Sequence, residues 1–137
     1  PSKCLFWDDA ISCQELGQIF ACGWTFLAHD SLLAKLGDFL TTYISEDWVI
    51  VAREMVGTVS DFLNFCTHRG NLVAHAGSGD VRSFVCNYYG WSFGLDGSLV
   101  NVPLQHAAIL TGKAKPNTGC VRLESKSFRG FLLQLFR

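Results

Sequence analysis

The sequence predicts a mainly β fold of antiparallel sheets preceded by one short helix. From Phe39 onward, short runs rich in Val, Ile, Thr and aromatic residues follow one another at close spacing. Gly-bearing turns, such as those at Gly57 and Asp96-Gly97, separate the runs. Only the segment 8–23 carries apolar positions (Ile11, Leu16, Ile19, Phe20) near helical spacing. The 137 residues suffice for one domain with a real core.

Taken in order, the helix has Asp8 or Asp9 as its N-cap and Gly23 as its stop, with Gly17 weakening its interior. Phe39–Ile44 and Asp47–Arg53 read as strands broken at Ser45-Glu46, and Val59–Phe65 follows the turn at Gly57. Gly77-Ser78-Gly79-Asp80 reads as a turn that returns Val81–Cys86 as a strand. Asp96-Gly97 then turns Tyr89–Phe93 back into Ser98–Val102, because Asp-Gly accepts the positive φ of tight hairpins. Residues 103–118, with Gly112 and Pro116, read as a surface excursion, and Val121–Glu124 and Phe128–Phe136 as closing strands. No repeat, charge block or low-complexity tract interrupts this order.

The net charge of −1 and the scattered Lys and Arg leave no basic stripe for a nucleic acid. Although 49% of the residues are apolar, no uninterrupted run approaches the ~18 that a membrane-spanning helix needs. The six cysteines (4, 13, 22, 66, 86, 120) are expected as free thiols in a cytoplasmic, reducing compartment, since a chain this apolar needs no disulfide staple. The nine-residue recurrence of Cys4, Cys13 and Cys22 matches no ligand spacing. The start at Pro1 and the end directly after an apolar run suggest part of a longer protein.

The chemistry concentrates between Cys66 and Trp91. Cys66-Thr67-His68-Arg69-Gly70 and Cys86-Asn87-Tyr88-Tyr89-Gly90-Trp91 each offer a thiolate, a second potential ligand two or three residues on, and a Gly that lets backbone approach an inorganic cluster. Cys-x-His in one loop and Cys-x-x-His in another is the donor set of a Rieske 2Fe–2S centre, with both Cys on one iron and both His on the other. Here 17 residues separate His68 from Cys86, and the fourth position carries Tyr89 in place of His. A phenol binds ferric iron well only as phenolate, and it would add negative charge beside the cluster. Neutral imidazoles raise Rieske potentials to roughly −150 to +300 mV from the ~−400 mV of an all-Cys plant-type ferredoxin, so Tyr89 acts in the lowering direction or prevents assembly. Taken singly, Cys66 and Cys86 could be ordinary buried thiols; their register with His68, Gly70, Gly90 and Trp91 favours the clamp.

These loops, with Asp61–Phe65 before the first, Phe84-Val85 before the second and Gly97–Pro103 after it, resemble the Rieske domain of ring-hydroxylating dioxygenase large (α) subunits. Trp24–Ser31 and Gly37-Asp38-Phe39 resemble the naphthalene and polycyclic-aromatic branch, and Thr41-Thr42-Tyr43 with Glu46-Asp47 the biphenyl and toluene type. The resemblance implies a helix and lead-in over 1–36 and a Rieske domain over 37–137, with the cluster held by two hairpin loops. It implies Cys66, His68, Cys86 and Tyr89 at the ligand positions, and Arg69, Gly70, Tyr88, Gly90 and Trp91 as loop support. A ferredoxin or reductase would supply electrons, for passage to a mononuclear non-haem Fe(II) in a neighbouring α subunit, where dioxygen and an arene give a cis-dihydrodiol. A β subunit is also implied. That iron and the choice of arene belong to a C-terminal catalytic domain outside this chain, so the isolated chain is expected to be inactive on arenes.

Asn71 and Tyr88 stand where respiratory Rieske proteins carry an extra bridging Cys pair, which favours the oxygenase type. Three other readings remain at this point: a stand-alone Rieske ferredoxin, a cluster-deficient structural remnant, and a zinc site on Cys66, His68 and Cys86. His29, His75 and His106 have no second ligand at metal spacing and read as structural or solvent-facing.

Overall fold

A computed structural model describes residues 7–20, 22–103 and 119–135. Helix α1 spans Asp9–Glu15, capped by the Asp8 carboxylate, which accepts from the amides of Ala10 and Ile11. A π-helical turn, Leu16–Phe20, continues it. A side chain at Gly23 would meet the Ile19 carbonyl oxygen at 2.9 Å, so only Gly fits where the chain leaves this turn. α1 has no buried residue, consistent with a peripheral helix.

Among the described residues ten strands follow in three antiparallel sheets. β1 (Trp24–His29), which the sequence reading did not identify as a strand, pairs with β10 (Phe131–Leu135), which in turn pairs with β9 (Ser125–Phe128). A register shift between Phe26 and Ala28 places Leu27 and Ala28 both in the core and spoils the simple alternation that marks a strand in sequence. The expected closing strand 128–136 is broken by a turn in which Arg129 (φ 51°) and Gly130 (φ 84°) take the left-handed conformation of a hairpin. Val121–Glu124 contributes only one bridge, Arg122 to Phe62.

The second sheet has the order β4-β3-β2-β5. β2 (Asp38–Ile44) and β3 (Asp47–Arg53) form a hairpin closed at Ser45, whose φ is 56°; β4 (Val59–Leu63) returns after the Gly57 turn, φ 93°. β5 (Ser78–Asp80) lies where a turn was expected and pairs with β2 instead. Gly79 makes this possible, since a Cβ there would sit 2.9 Å from the Phe39 ring. The third sheet, β6 (Phe84–Val85), β7 (Ser92–Phe93) and β8 (Leu99–Asn101), uses shorter strands than expected because residues 86–90 are committed to a loop. Residues 104–118, most of the expected excursion, and His106 lie outside the described residues.

β3 divides the core. Its period of two sends Val49 and Val51 toward Leu27, Leu33, Ile44 and Leu132, while Ile50 and Ala52 face Phe39, Phe62, Phe84, Phe93 and the cysteines 66, 86 and 120. A strand buried on both faces explains the unbroken apolar run Val-Ile-Val-Ala. Arg53, at its end, holds two neighbouring turns by binding the Leu33 carbonyl, the Gly57 carbonyl and the Asp30 carboxylate. Among the described residues no helix is long and apolar enough to cross a membrane.

Candidate metal centre

The two predicted loops have the same backbone design. In the first, Cys66 N–H donates to the Asn71 carbonyl at 2.7 Å and Gly70 N–H to the Cys66 carbonyl at 2.7 Å. In the second, Cys86 N–H donates to the Trp91 carbonyl and Gly90 N–H to the Cys86 carbonyl, both at 2.8 Å. Gly70 (φ 72°) and Gly90 (φ 70°) close the loops in the same left-handed conformation, which a side chain would strain. Each loop folds around its cysteine, so that backbone N–H groups of the second and third residues after it point at the sulfur: His68 and Arg69 at Cys66, Tyr88 and Tyr89 at Cys86.

The loops differ in how the fold carries them. Cys86–Gly90 is the tip of the β6–β7 hairpin. Cys66–Gly70 is not a hairpin tip, contrary to expectation, because it joins β4 to β5 at opposite edges of one sheet. Asn64 makes that connection rigid. Its buried side chain accepts from the amides of Val73 and Ala74, both at 2.9 Å, and donates to the Ala74 carbonyl at 2.7 Å. Such a side chain substitutes for a missing strand partner. The sequence hinted at this only as one polar residue inside the apolar run Phe62–Phe65.

Both sulfurs are brought together in the core; Cys66 and Cys86 are each 1% exposed and their side chains are hydrogen-bonded to each other. Burial pushes the Cys66 thiol up, and the Cys86 sulfur adds to this against the opposing N–H groups of His68 and Arg69. Burial also acts upward on Cys86, but the N–H of Tyr88, the Asn71 amide, the Cys66 thiol and the N–H of Tyr89 together outweigh it and hold Cys86 below the ordinary thiol range. The amide donors around both sulfurs favour the charged, metal-binding form of each. Cys120 packs in the same core, donates to the Phe65 carbonyl at 3.5 Å, and is pushed up to about 12 by burial. No N–H group of another residue offsets that burial, so Cys120 stays a thiol. The described cysteines, 13, 22, 66, 86 and 120, are all free.

His68 and Tyr89 also meet. The imidazole lies edge-on to the Tyr89 ring at 4.8 Å and stacks on Trp91 at 4.7 Å with 12° between planes. Trp91 is buried, so it fixes the imidazole plane from beneath. Tyr89 is 47% exposed; Arg69 covers its ring at 5.3 Å and Tyr88 contacts it at 4.5 Å. Among the described residues no three His, Cys, Asp or Glu side chains converge as a set for one ion. His75 is exposed, and His29 hydrogen-bonds Ser31 and packs on Phe131, away from the loops. Asn71 was missed as a site residue: its side-chain amide donates to Asn87 Oδ1 at 2.7 Å and approaches Cys86 Sγ at 3.6 Å.

Residues 23–123 match the model of the Rieske [2Fe-2S] domain. The chain is 41% identical over 133 residues to the large oxygenase component of the naphthalene 1,2-dioxygenase system of Pseudomonas aeruginosa, covering 94% of this chain and 29% of that protein. It is 36% identical to the biphenyl 2,3-dioxygenase subunit alpha of Rhodococcus jostii (strain RHA1), covering 93% and 28%. Its fold superposes on a crystal structure of naphthalene 1,2-dioxygenase from Rhodococcus sp. bound to indole with a TM-score of 0.92 at 34% identity, over 97% of this chain and 30% of that one. A quaternary ammonium Rieske monooxygenase in complex with L-carnitine superposes with a TM-score of 0.88 at 28% identity, over 98% and 38%. This chain thus spans less than a third of the length of the dioxygenase subunits it matches. By its matched loops and these likenesses, the chain belongs to the Rieske [2Fe-2S] domain family, among relatives that are large subunits of aromatic-ring dioxygenases.

Proposed function

We propose that this chain is the electron-entry domain of an aromatic-ring-hydroxylating dioxygenase α subunit, with residues 37–137 bearing the cluster and 1–36 leading into it. In this reading Cys66 and Cys86 hold one iron of a [2Fe-2S] cluster, and His68 and Tyr89 face the other. The observation that carries it is the matched pair of loops, each with two backbone N–H groups aimed at a buried sulfur. Two buried cysteines with amide donors fit cluster sulfur ligation, and one imidazole held flat by Trp91 fits the outer iron. When bound, the cluster supplies one-electron transfer.

The chain's own residues then have separate tasks. The amides after each Cys stabilise negative charge on sulfur, the core around Phe62, Phe84 and Phe93 keeps water from the cysteines, and Arg69, Gly70, Tyr88, Gly90 and Trp91 shape the loops. The domain would receive electrons from a ferredoxin or reductase and deliver them to a mononuclear iron in a neighbouring α subunit, within a cytoplasmic assembly that includes a β subunit. Reconstituted protein should hold about two irons and two acid-labile sulfides per chain. Loss of both in Cys66→Ser and Cys86→Ser is expected; iron binding that survives both substitutions would overturn the assignment. A second reading, a cluster-deficient structural domain, is favoured by one observation: a half-exposed phenol, Tyr89, stands beside His68. Absence of iron from both wild type and Tyr89→His after reconstitution would select it.

A further inference from the structure

One side-chain pair joins the two metal-centre loops. The Asn71 side-chain nitrogen lies 2.7 Å from Asn87 Oδ1, 3.2 Å from the Leu72 carbonyl oxygen and 3.6 Å from Cys86 Sγ. A primary amide carries two hydrogens, so three acceptors compete for two N–H groups. The contact with Asn87 is the shortest of the three and sets the plane of the amide. With one N–H held there, the other is left for the carbonyl of the neighbouring residue and the sulfur of the second loop. Asn71 is also anchored through its backbone, since its carbonyl accepts from Cys66 N–H at 2.7 Å.

The contacts run inward from solvent. Asn87 is exposed, Asn71 is half-buried and Cys86 is fully buried. The hydrogen-bonding groups that act on the Cys86 sulfur are the N–H groups of Tyr88 and Tyr89, the Asn71 amide and the Cys66 thiol. Asn87 acts on the Asn71 amide instead. Without the Asn87 oxygen, the amide is free to turn to the Leu72 carbonyl or to water, and the sulfur loses a donor. Hydrogen bonds to the sulfurs set the potential of an iron–sulfur centre, and the groups that orient such donors set it at one remove.

We propose that Asn87 is a positioning residue of the metal centre: by holding one N–H of Asn71 it aims the other at Cys86 Sγ, and so raises the reduction potential of the bound cluster. The inference rests on the cluster assignment above. It gives an exposed loop residue that contacts neither sulfur a part in tuning the centre, exerted through Asn71.

Reduction potentials of the reconstituted 137-residue protein test this in a double-mutant cycle. Asn87→Ala should lower the potential while iron and sulfide content stay unchanged, and in an Asn71→Leu background it should do nothing further. Equal shifts in both backgrounds, or no shift in the wild-type background, overturn the proposal. The metal-free protein supplies a reading that needs no cluster, the hydrogen exchange of the Asn71 side-chain amide followed by nitrogen–proton NMR. Exchange should be about fivefold faster in Asn87→Ala than in wild type, the worth of one ordinary hydrogen bond. Asn87→Asp keeps an acceptor oxygen and should keep the exchange slow. Equally fast exchange in wild type and Asn87→Ala overturns the proposal even where no cluster assembles. Slow exchange in a wild type that takes up no iron faults the cluster assignment and leaves Asn87 as the residue that aims the Asn71 amide.

Discussion

The Asn71 side-chain amide donates to Asn87 Oδ1 at 2.7 Å, joining the two metal-centre loops directly. The same nitrogen lies 3.6 Å from Cys86 Sγ, so one residue ties the loops and supports a ligand sulfur. Replacement by Leu should leave the strands intact, cost roughly 1 kcal/mol in urea unfolding, and lower the reduction potential of the loaded protein, since hydrogen bonds to sulfur raise it. An unchanged potential in Asn71→Leu would show that the Asn71–Cys86 contact has no electronic effect.

Tyr89→His, Tyr89→Phe and Tyr89→Asp offer iron an imidazole, no donor and a carboxylate in turn. Tyr89→His should hold iron and sulfide best and move the potential toward the roughly −150 to +300 mV of two-imidazole centres. Tyr89→Phe keeps the ring contact with His68 and deletes only the oxygen. Equal iron content and identical visible spectra for wild type and Tyr89→Phe would mean that Tyr89 is not a ligand.

Asn64→Leu removes three hydrogen bonds and strands the buried amides of Val73 and Ala74. A loss of roughly 2–4 kcal/mol is expected, with faster hydrogen exchange confined at first to the segment after the first loop. Exchange that rises equally in all three sheets would argue against a local role.

Asp61 and Asp96 should give opposite pH signatures. Burial raises the Asp61 pKa, so its contribution to stability is full below the ordinary value of 3.8 and is lost as pH rises through the folded value. Asp61→Asn should therefore gain on wild type as pH rises above the ordinary value, by roughly 1 kcal/mol. For Asp96, burial acts upward but is outweighed by the Ser98 hydroxyl and amide and by Arg122, leaving its pKa low. Its contribution is present above 3.8 and lost as pH falls through the folded value, so Asp96→Asn should be most damaging at neutral pH. Unfolding curves at several pH values test both signs; parallel curves for wild type and both variants would refute them.

What the sequence determined by itself was local. Cys-Thr-His-Arg-Gly and Cys-Asn-Tyr-Tyr-Gly-Trp announce two loops because a ligand pair and a closing Gly are fixed within a few residues, and the loops appear at those positions with matching φ values. β2, β3 and β4 were equally legible, since turns at Ser45 and Gly57 separate runs of suitable composition. Tertiary structure decided whatever depended on a distant partner. β1 is a strand because β10 lies beside it, 102 residues on at the Phe131–His29 pair (131 minus 29), and β5 is one because Gly79 makes room for Phe39. Three cysteines share one core, and the N–H groups of neighbouring residues act on Cys66 and Cys86 but not on Cys120, which burial and the two nearby sulfurs hold protonated. The burial of Asp61 and Gln134 is likewise invisible in sequence: a carboxylate and an amide on strands far apart in the chain come to line one cavity only when β4 and β10 are folded near each other.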